Sequence, residues 1–264
     1  LELANNHWGS VDRGKRIIAA FSRVARFNNV RTAIKLQFRD VPHFIHKDFL
    51  NSDERYIQKT LATAMGRDDL LALVEAVRMS SCLTMATPFD EASAEWCRDL
   101  DIVKIASSDI NDWPLIQAIA KLRKPVIVST GGSSLKDIDD LVLFFEHRNI
   151  PLAINHCVAL YPAGDGELEL NQIDFLRGRY PGHTIGLSTH EHTDWSNSML
   201  IAYAKGARTF ERHIDIDDGT QAVSPYCSQP HQIDEWFKAY HKAKEMCGRD
   251  GSTKRVPCER EIRY

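Results

Sequence analysis

The feature that most constrains this chain is an alternation, sustained along nearly its whole length, between short β-branched apolar runs and amphipathic helical stretches. The runs are "TAIKLQ" (32–37), "CLTMAT" (82–87), "IVKIASS" (102–108), "PVIVST" (125–130), "LAINHCV" (152–158), "TIGLST" (184–189) and "ARTFERH" (207–213), with "LELA" (1–4) as a truncated first strand. Between them, stretches such as "DDLLALVEAVRMS", "PLIQAIAKL" and "LKDIDDLVLFFEHR" repeat apolar residues at three- and four-residue steps. That pattern is the signature of βα units around a parallel sheet. Eight strands with helical returns predict an α/β fold, a (β/α)8 TIM barrel, over residues 1–247. A doubly wound open sheet is the rival, but no GxGxxG follows the first strand. Residues 248–264 form a charged C-terminal segment that reads as leading into a further region.

Composition narrows the function. The chain has 264 residues, 43% hydrophobic and 26% charged, with a formal net charge of −3. No block of lysine and arginine is present to track a phosphate backbone, and no apolar run approaches the ~20 residues that span a bilayer. Small molecules, rather than nucleic acid or membrane, are therefore the expected partners. The six cysteines are scattered without a CxxC pair, as in a reduced, cytoplasmic chain.

In a barrel of this kind the chemistry sits at the C-terminal ends of the strands. Those ends carry Glu2, Asn6 and His7; Lys35, Gln37 and Arg39; Thr87; Lys104, Ser107 and Asp109; Ser129 and Thr130; His156 and Tyr161; Ser188 and His190; and Glu211 and His213. Lys35 and Lys104 lie inside otherwise apolar strands, and alternation turns them into the barrel mouth. A bare ammonium there calls for an anion. With the hydroxyls of Thr87, Ser107, Ser129 and Thr130 they form a cradle for a phosphorylated or carboxylated substrate; alternatively they are buried bridges to Glu2 or Asp109. His190 and His213 end adjacent strands, which suits an open divalent-metal site, although strand-end histidines are also common as hydrogen-bonded core residues. His43, His46 and His192 read as surface or loop residues. The stretch 39–58 is longer than an ordinary βα loop, and loops of that length are commonly functional.

Eight motifs, in order "ELANNHWG", "KLQ", "TPFDEAS", "KIASSDINDWPLI", "KPVIVSTGG", "HCVALYP", "IGLSTHEH" and "GARTFERH", together resemble the sialic acid synthase family over residues 2–228. The resemblance implies a barrel that condenses phosphoenolpyruvate with an open-chain amino sugar or related aldehyde, giving a 2-keto-3-deoxy sugar acid and phosphate. It assigns phosphoenolpyruvate to Lys35, Gln37, Thr87, Lys104, Ser107, Ser129 and Ser188, and a divalent ion to His190 and His213, manganese before magnesium or cobalt. It makes Glu2 and Asp109 catalytic together with the two histidines, and puts Tyr161 on the sugar side. It also implies a homodimer, and a small antifreeze-like domain after the barrel that closes the partner's site; the chain stops before that domain, so it reads either as a fragment or as a branch that closes its site differently.

The departures concern the acceptor half. Ala159 stands where the family usually has Asn, Asp109 where it has Glu, Thr189 where Asp is common, and Ser224 where an aspartate contacts the sugar. The acceptor is accordingly expected to be a sugar other than N-acetylmannosamine. Two competing functions remain open on the residues: a Schiff-base aldolase using Lys104 or Lys35, and a noncatalytic sugar- or phosphate-binding barrel.

Overall fold

The structure, a computed structural model, describes residues 1–248, 251 and 254–263. Arg249, Asp250, Ser252, Thr253 and Tyr264, all in the charged C-terminal segment, lie outside the described residues. Eight strands run β1 (Glu2–Ala4), β2 (Ala33–Phe38), β3 (Leu83–Pro88), β4 (Ile102–Ile105), β5 (Val126–Ser129), β6 (Leu152–Cys157), β7 (Thr184–Thr189) and β8 (Thr209–Arg212). The helices are α1 (Val11–Phe27), α2 (Val41–Phe44), α3 (Arg55–Ala62), α4 (Arg67–Met79), α5 (Glu91–Glu95), α6 (Trp113–Lys121), α7 (Leu135–Glu146), α8 (Gln172–Arg179), α9 (Trp195–Ala204), α10 (Pro230–Cys247) and α11 (Glu259–Ile262).

All strands are parallel and pair in sequence order from β1 to β8. The order never reverses, so the open doubly wound sheet is excluded. Closure is direct: His213 bridges Glu2 in parallel, and the Ile214 amide donates to the Glu2 carbonyl at 2.9 Å. The fold is therefore the (β/α)8 barrel that the alternation predicts. No described helix is long and apolar enough to cross a membrane. All six cysteines are free thiols.

Alternation along each strand divides the side chains between two environments. Ile34, Leu36, Phe38, Val103, Ile105, Val126, Val128, Ile154, Ile185 and Leu187 are buried against the helices. The alternate residues, among them Lys35, Gln37, Lys104, Ser129, Ser188 and Glu211, face the interior and the mouth. Helices begin where a side-chain oxygen takes an orphan amide: Ser10 accepts from Arg13, Asp112 from Leu115, and Asp194 from Ser196 and Asn197. The seam between first and last strands is held from outside by Arg13, buried in α1, which donates to the Asn6 carbonyl at 2.8 Å and pairs with Asp215 at 2.9 Å. A second buried ion pair, Arg212 to Glu191 at 2.9 Å, joins the ends of β7 and β8.

One glycine is dictated by the barrel interior. A Cβ on Gly186 would collide with Thr209 Oγ1, Asn155 Oδ1 and the Thr209 carbonyl oxygen. Those two side chains are themselves joined by a 2.7 Å hydrogen bond across the interior. Gly186→Ala is therefore expected to destabilise the protein by about 3 kcal/mol, near the upper end of overpacking costs, in denaturant unfolding. Gly178, inside α8 with open space at its Cβ position, is the control. Its replacement by alanine should be neutral or stabilising by up to ~1 kcal/mol.

Candidate active site

A cavity of about 820 Å³ opens at the C-terminal ends of the strands. It is lined by Glu2, Lys35, Gln37, Thr87, Lys104, Ser107, Ser129, Tyr161, Ser188, His190 and His213, so eleven of the twelve residues expected at a site converge there. Asp109 is the exception. It closes a short 3₁₀ turn, Ser107–Asp109, that carries it out of the lining; one carboxylate oxygen accepts from Ser108 at 2.9 Å and the other is buried without a partner. Burial raises its carboxyl to a pKa of about 6. His43, His46 and His192 are exposed, as a surface reading requires.

The floor is a charge cluster. Lys35 Nζ lies 2.9 Å from Glu2 Oε2 and 2.9 Å from Glu211 Oε1. Lys104 Nζ donates to Ser129 Oγ at 2.8 Å and the Ile105 carbonyl at 3.1 Å, with Glu211 Oε1 at 3.7 Å. Ser188 Oγ donates to the same Glu211 oxygen at 3.1 Å, and Gln37 Nε2 donates to Glu2 Oε1 at 2.8 Å. The bridge to Glu2 is thus present, the bridge to Asp109 is not, and Glu211 takes its place.

The cluster sorts the two lysines. Burial alone would lower the Lys35 ammonium, but Glu2 and Glu211 outweigh it and hold the pKa above the ordinary value. For Lys104 burial prevails and lowers the pKa, Glu211 offsetting only part of the effect. Burial opposes ionisation of both carboxyls as well. His213 and Lys35 nevertheless pull Glu2 well below the usual range, and Lys104 and Lys35 pull Glu211 down. Thr87 Oγ1, which also faces the cavity, is buried without a partner.

The imidazoles stand at the edge of this floor with ring centroids 5.4 Å apart. His190 Nδ1–H donates to the Val158 carbonyl at 3.2 Å, which leaves the lone pair on Nε2. Burial, reinforced by His213, lowers its pKa to about 3. His213 is lowered by burial against the pull of Glu2, which stands 3.2 Å from its Nε2, and its Nδ1 is buried with no partner. Two imidazoles, one tautomer fixed and one nitrogen orphaned, fit a divalent ion. Among the described residues no group of three or more His, Cys, Asp or Glu side chains gathers to hold one, so other positions would fall to water and substrate. Tyr161, with its ring 4.0 Å from that of His190, and Tyr226, 5.2 Å from His213, wall the pair on the solvent side.

The long segment after β2 forms the rim. It is not a bare loop: α2, a 3₁₀ turn at Lys47–Phe49 and α3 occupy it, and Arg55, Tyr56 and Lys59 of α3 line the cavity. Arg39, Arg55, Lys59 and Tyr226 are lining residues that sequence reasoning assigned no role at the site. Arg39 and Glu211 were visible as strand-end charges, but alternation does not say what stands opposite them.

Residues 28–252 match the NeuB family. Among solved structures, the Chromobacterium violaceum protein assigned to spore coat polysaccharide biosynthesis superposes with a TM-score of 0.96 at 36% identity, over 100% of this chain and 79% of that one. The N-acetylneuraminic acid synthetase of Leptospira borgpetersenii, solved with citrate, gives 0.85 at 25% identity, over 100% of this chain and 89% of its own. The N-acetylneuraminate-9-phosphate synthase of Drosophila melanogaster is 28% identical over 249 residues, 88% of this chain but 64% of that protein's length. With the match spanning most of the barrel and the motifs meeting in one cavity, the chain belongs to the NeuB family, the sialic acid synthase family its motifs resemble.

Proposed function

We propose that the chain is the barrel of a phosphoenolpyruvate-dependent synthase that joins phosphoenolpyruvate to an open-chain amino sugar or related aldehyde, giving a 2-keto-3-deoxy sugar acid and phosphate. One observation carries this reading. Two buried lysines and the hydroxyls of Ser129, Ser188 and Thr87 face one another across the floor of a cavity large enough for both substrates. The synthase activities for which the Drosophila and Leptospira relatives are named support it.

The residues divide the work. Lys35 and Lys104 hold the phosphate and carboxylate, with Ser107, Ser129, Ser188, Thr87 and Gln37 giving direction, so that C3 of the enol faces the aldehyde carbon. The new C–C bond leaves a cationic centre at C2, which water captures before the C2–O bond breaks and phosphate departs. Glu2 is ionised and held by Gln37 and Lys35, which suits it to orient that water; its low basicity makes it a poor base until the Lys35 bridge loosens. His190 and His213 would hold a divalent ion, manganese by preference, which when bound polarises the aldehyde oxygen. Tyr161 bounds the sugar side, and Asp109, outside the lining, acts on the acceptor only if its turn moves.

A second reading has one observation in its favour: burial holds Lys104 below the ordinary lysine value, as a Schiff-base nucleophile needs. Borohydride trapping of a pyruvate adduct on Lys104 would establish it in place of the synthase. Lys35, gripped by two carboxylates, does not qualify.

The proposal is tested by phosphate release from phosphoenolpyruvate across a panel of hexosamines, with and without manganese. Release that needs both aldehyde and metal is expected. Either His190→Ala or His213→Ala should abolish most divalent-metal binding by calorimetry while the fold, followed by circular dichroism, survives. Lys104→Met should weaken phosphoenolpyruvate binding by roughly 3 to 5 kcal/mol and leave metal affinity unchanged, because it strips a buried charge from its partners. With N-acetylmannosamine, kcat/KM should fall below about 10⁴ M⁻¹s⁻¹, the lower bound of ordinary enzymes. A higher value would mean that Ala159 and Ser224 do not exclude that sugar.

A further inference from the structure

Among the described residues five cationic side chains are buried: Arg13, Lys35, Arg39, Lys104 and Arg212. Four of them face a carboxylate: Arg13 has Asp215 at 2.9 Å, Lys35 has Glu2 at 2.9 Å, Lys104 has Glu211 at 3.7 Å and Arg212 has Glu191 at 2.9 Å. Among the described residues Arg39 has no carboxylate within ion-pair distance. Its guanidinium lies 3.7 Å over the Phe89 ring, donates from Nη1 to Gln37 Oε1 at 3.0 Å and from Nη2 to the Tyr56 hydroxyl at 3.2 Å, and keeps Nε buried without a partner. Every partner it has is neutral. Stacking and neutral hydrogen bonds offset part of its desolvation, and a group of opposite sign would offset the rest.

Its surroundings point the same way. Arg39 lines the cavity at the end of β2, one step outward from Gln37, and Tyr56 ties it to α3. On that helix Arg55 and Lys59 are one turn apart, both line the cavity, and neither makes an ion pair among the described residues. Glu54 beside them also lines the cavity, but it is exposed, pairs with none of the three cations among the described residues, and offsets only one of their charges. The floor is already balanced, since Lys35 and Lys104 meet Glu2 and Glu211, whereas the rim at β2 and α3 carries excess positive charge.

We infer that Arg39, with Arg55 and Lys59 above it, is a second anion-binding position at the cavity mouth, and that it receives a phosphate or carboxylate group on the acceptor, remote from the aldehyde. The inference rests on the reading that phosphoenolpyruvate occupies the floor. A rigid guanidinium fork, stacked on Phe89, suits a tetrahedral or planar oxyanion better than a neutral hydroxyl. The acceptor class is thus an acidic sugar aldehyde.

The test is calorimetry of the protein with N-acetylmannosamine, N-acetylglucosamine and mannosamine, each against its own 6-phosphate, both alone and with phosphoenolpyruvate present. In the wild type at least one phosphorylated sugar should bind about ten-fold or more tighter than its neutral partner, the gain expected of a charge-assisted hydrogen bond. Arg39→Gln should erase that advantage, Arg39→Lys should keep part of it, and phosphoenolpyruvate affinity should stay within about two-fold in both, far below one charged hydrogen bond. If Arg39→Gln fails to fold, the rim double variant Arg55→Gln/Lys59→Gln should lose part of the advantage instead. Equal binding within every pair, including no binding by either member, overturns the inference. So does a loss of phosphoenolpyruvate affinity on Arg39→Gln, which would assign the guanidinium to the first substrate. Failure of phosphoenolpyruvate to bind the wild type strikes the proposed function and leaves the paired comparison without phosphoenolpyruvate still readable.

Discussion

The site depends on one buried contact: Lys35 held between Glu2 and Glu211, each at 2.9 Å. The three residues belong to β1, β2 and β8, so the ion triad lies where the barrel closes on itself. Around it the rest is arranged by exclusion and pairing. Glu211 shares its oxygen with Lys104 and Ser188, Glu2 accepts from Gln37 and neighbours His213, and His213 packs edge-on against Tyr226. Removing one member would leave its partners as uncompensated buried charge, so such a cluster behaves as a unit. A dianionic ligand entering this floor would compete with Glu2 and Glu211 for the same ammonium groups, and binding would redistribute existing charge.

The ends of β7 and β8 show how scaffold and chemistry are interleaved. Along β7 and the residues just beyond it, His190 is followed by Glu191; along β8, Arg212 is followed by His213. The buried Arg212–Glu191 pair therefore lies directly behind the two imidazoles; Ser198 of α9 donates to Glu191, and Arg212 Nε donates to Ser228 before α10. Strand alternation sends the charged pair to one side and the imidazoles to the other, so the register that buries the former also sets the separation of the latter.

The sequence was legible where periodicity speaks. The eight strands, the barrel, the inward lysines and the strand-end histidines all follow from alternation and from the rule that chemistry collects at C-terminal strand ends. It was not legible where partners come from opposite sides of a closed sheet. Lys35 pairs with Glu211, 176 residues away, and nothing in local spacing prefers that carboxylate to Asp109. Asp109 itself is turned away by a single 3₁₀ turn, a feature too short to leave a periodic signal. The isolation of Arg39 was equally hidden, because the lack of a partner is a property of the whole cavity.

The seam carries a consequence for synthesis of the protein. Asn6 bonds the Ile214 carbonyl across 208 residues, and Lys35 reaches Glu211 across 176. Contacts of such sequence separation form late, since the entropy of closing the loop must be met before they contribute. A chain emerging from the ribosome would carry Lys104 as an apolar-embedded charge without its counter-ion, and the Lys35–Glu2 pair without Glu211, until β8 has docked. Binding competence would then arrive in a single late step with barrel closure, and partly made chains would be silent toward substrate.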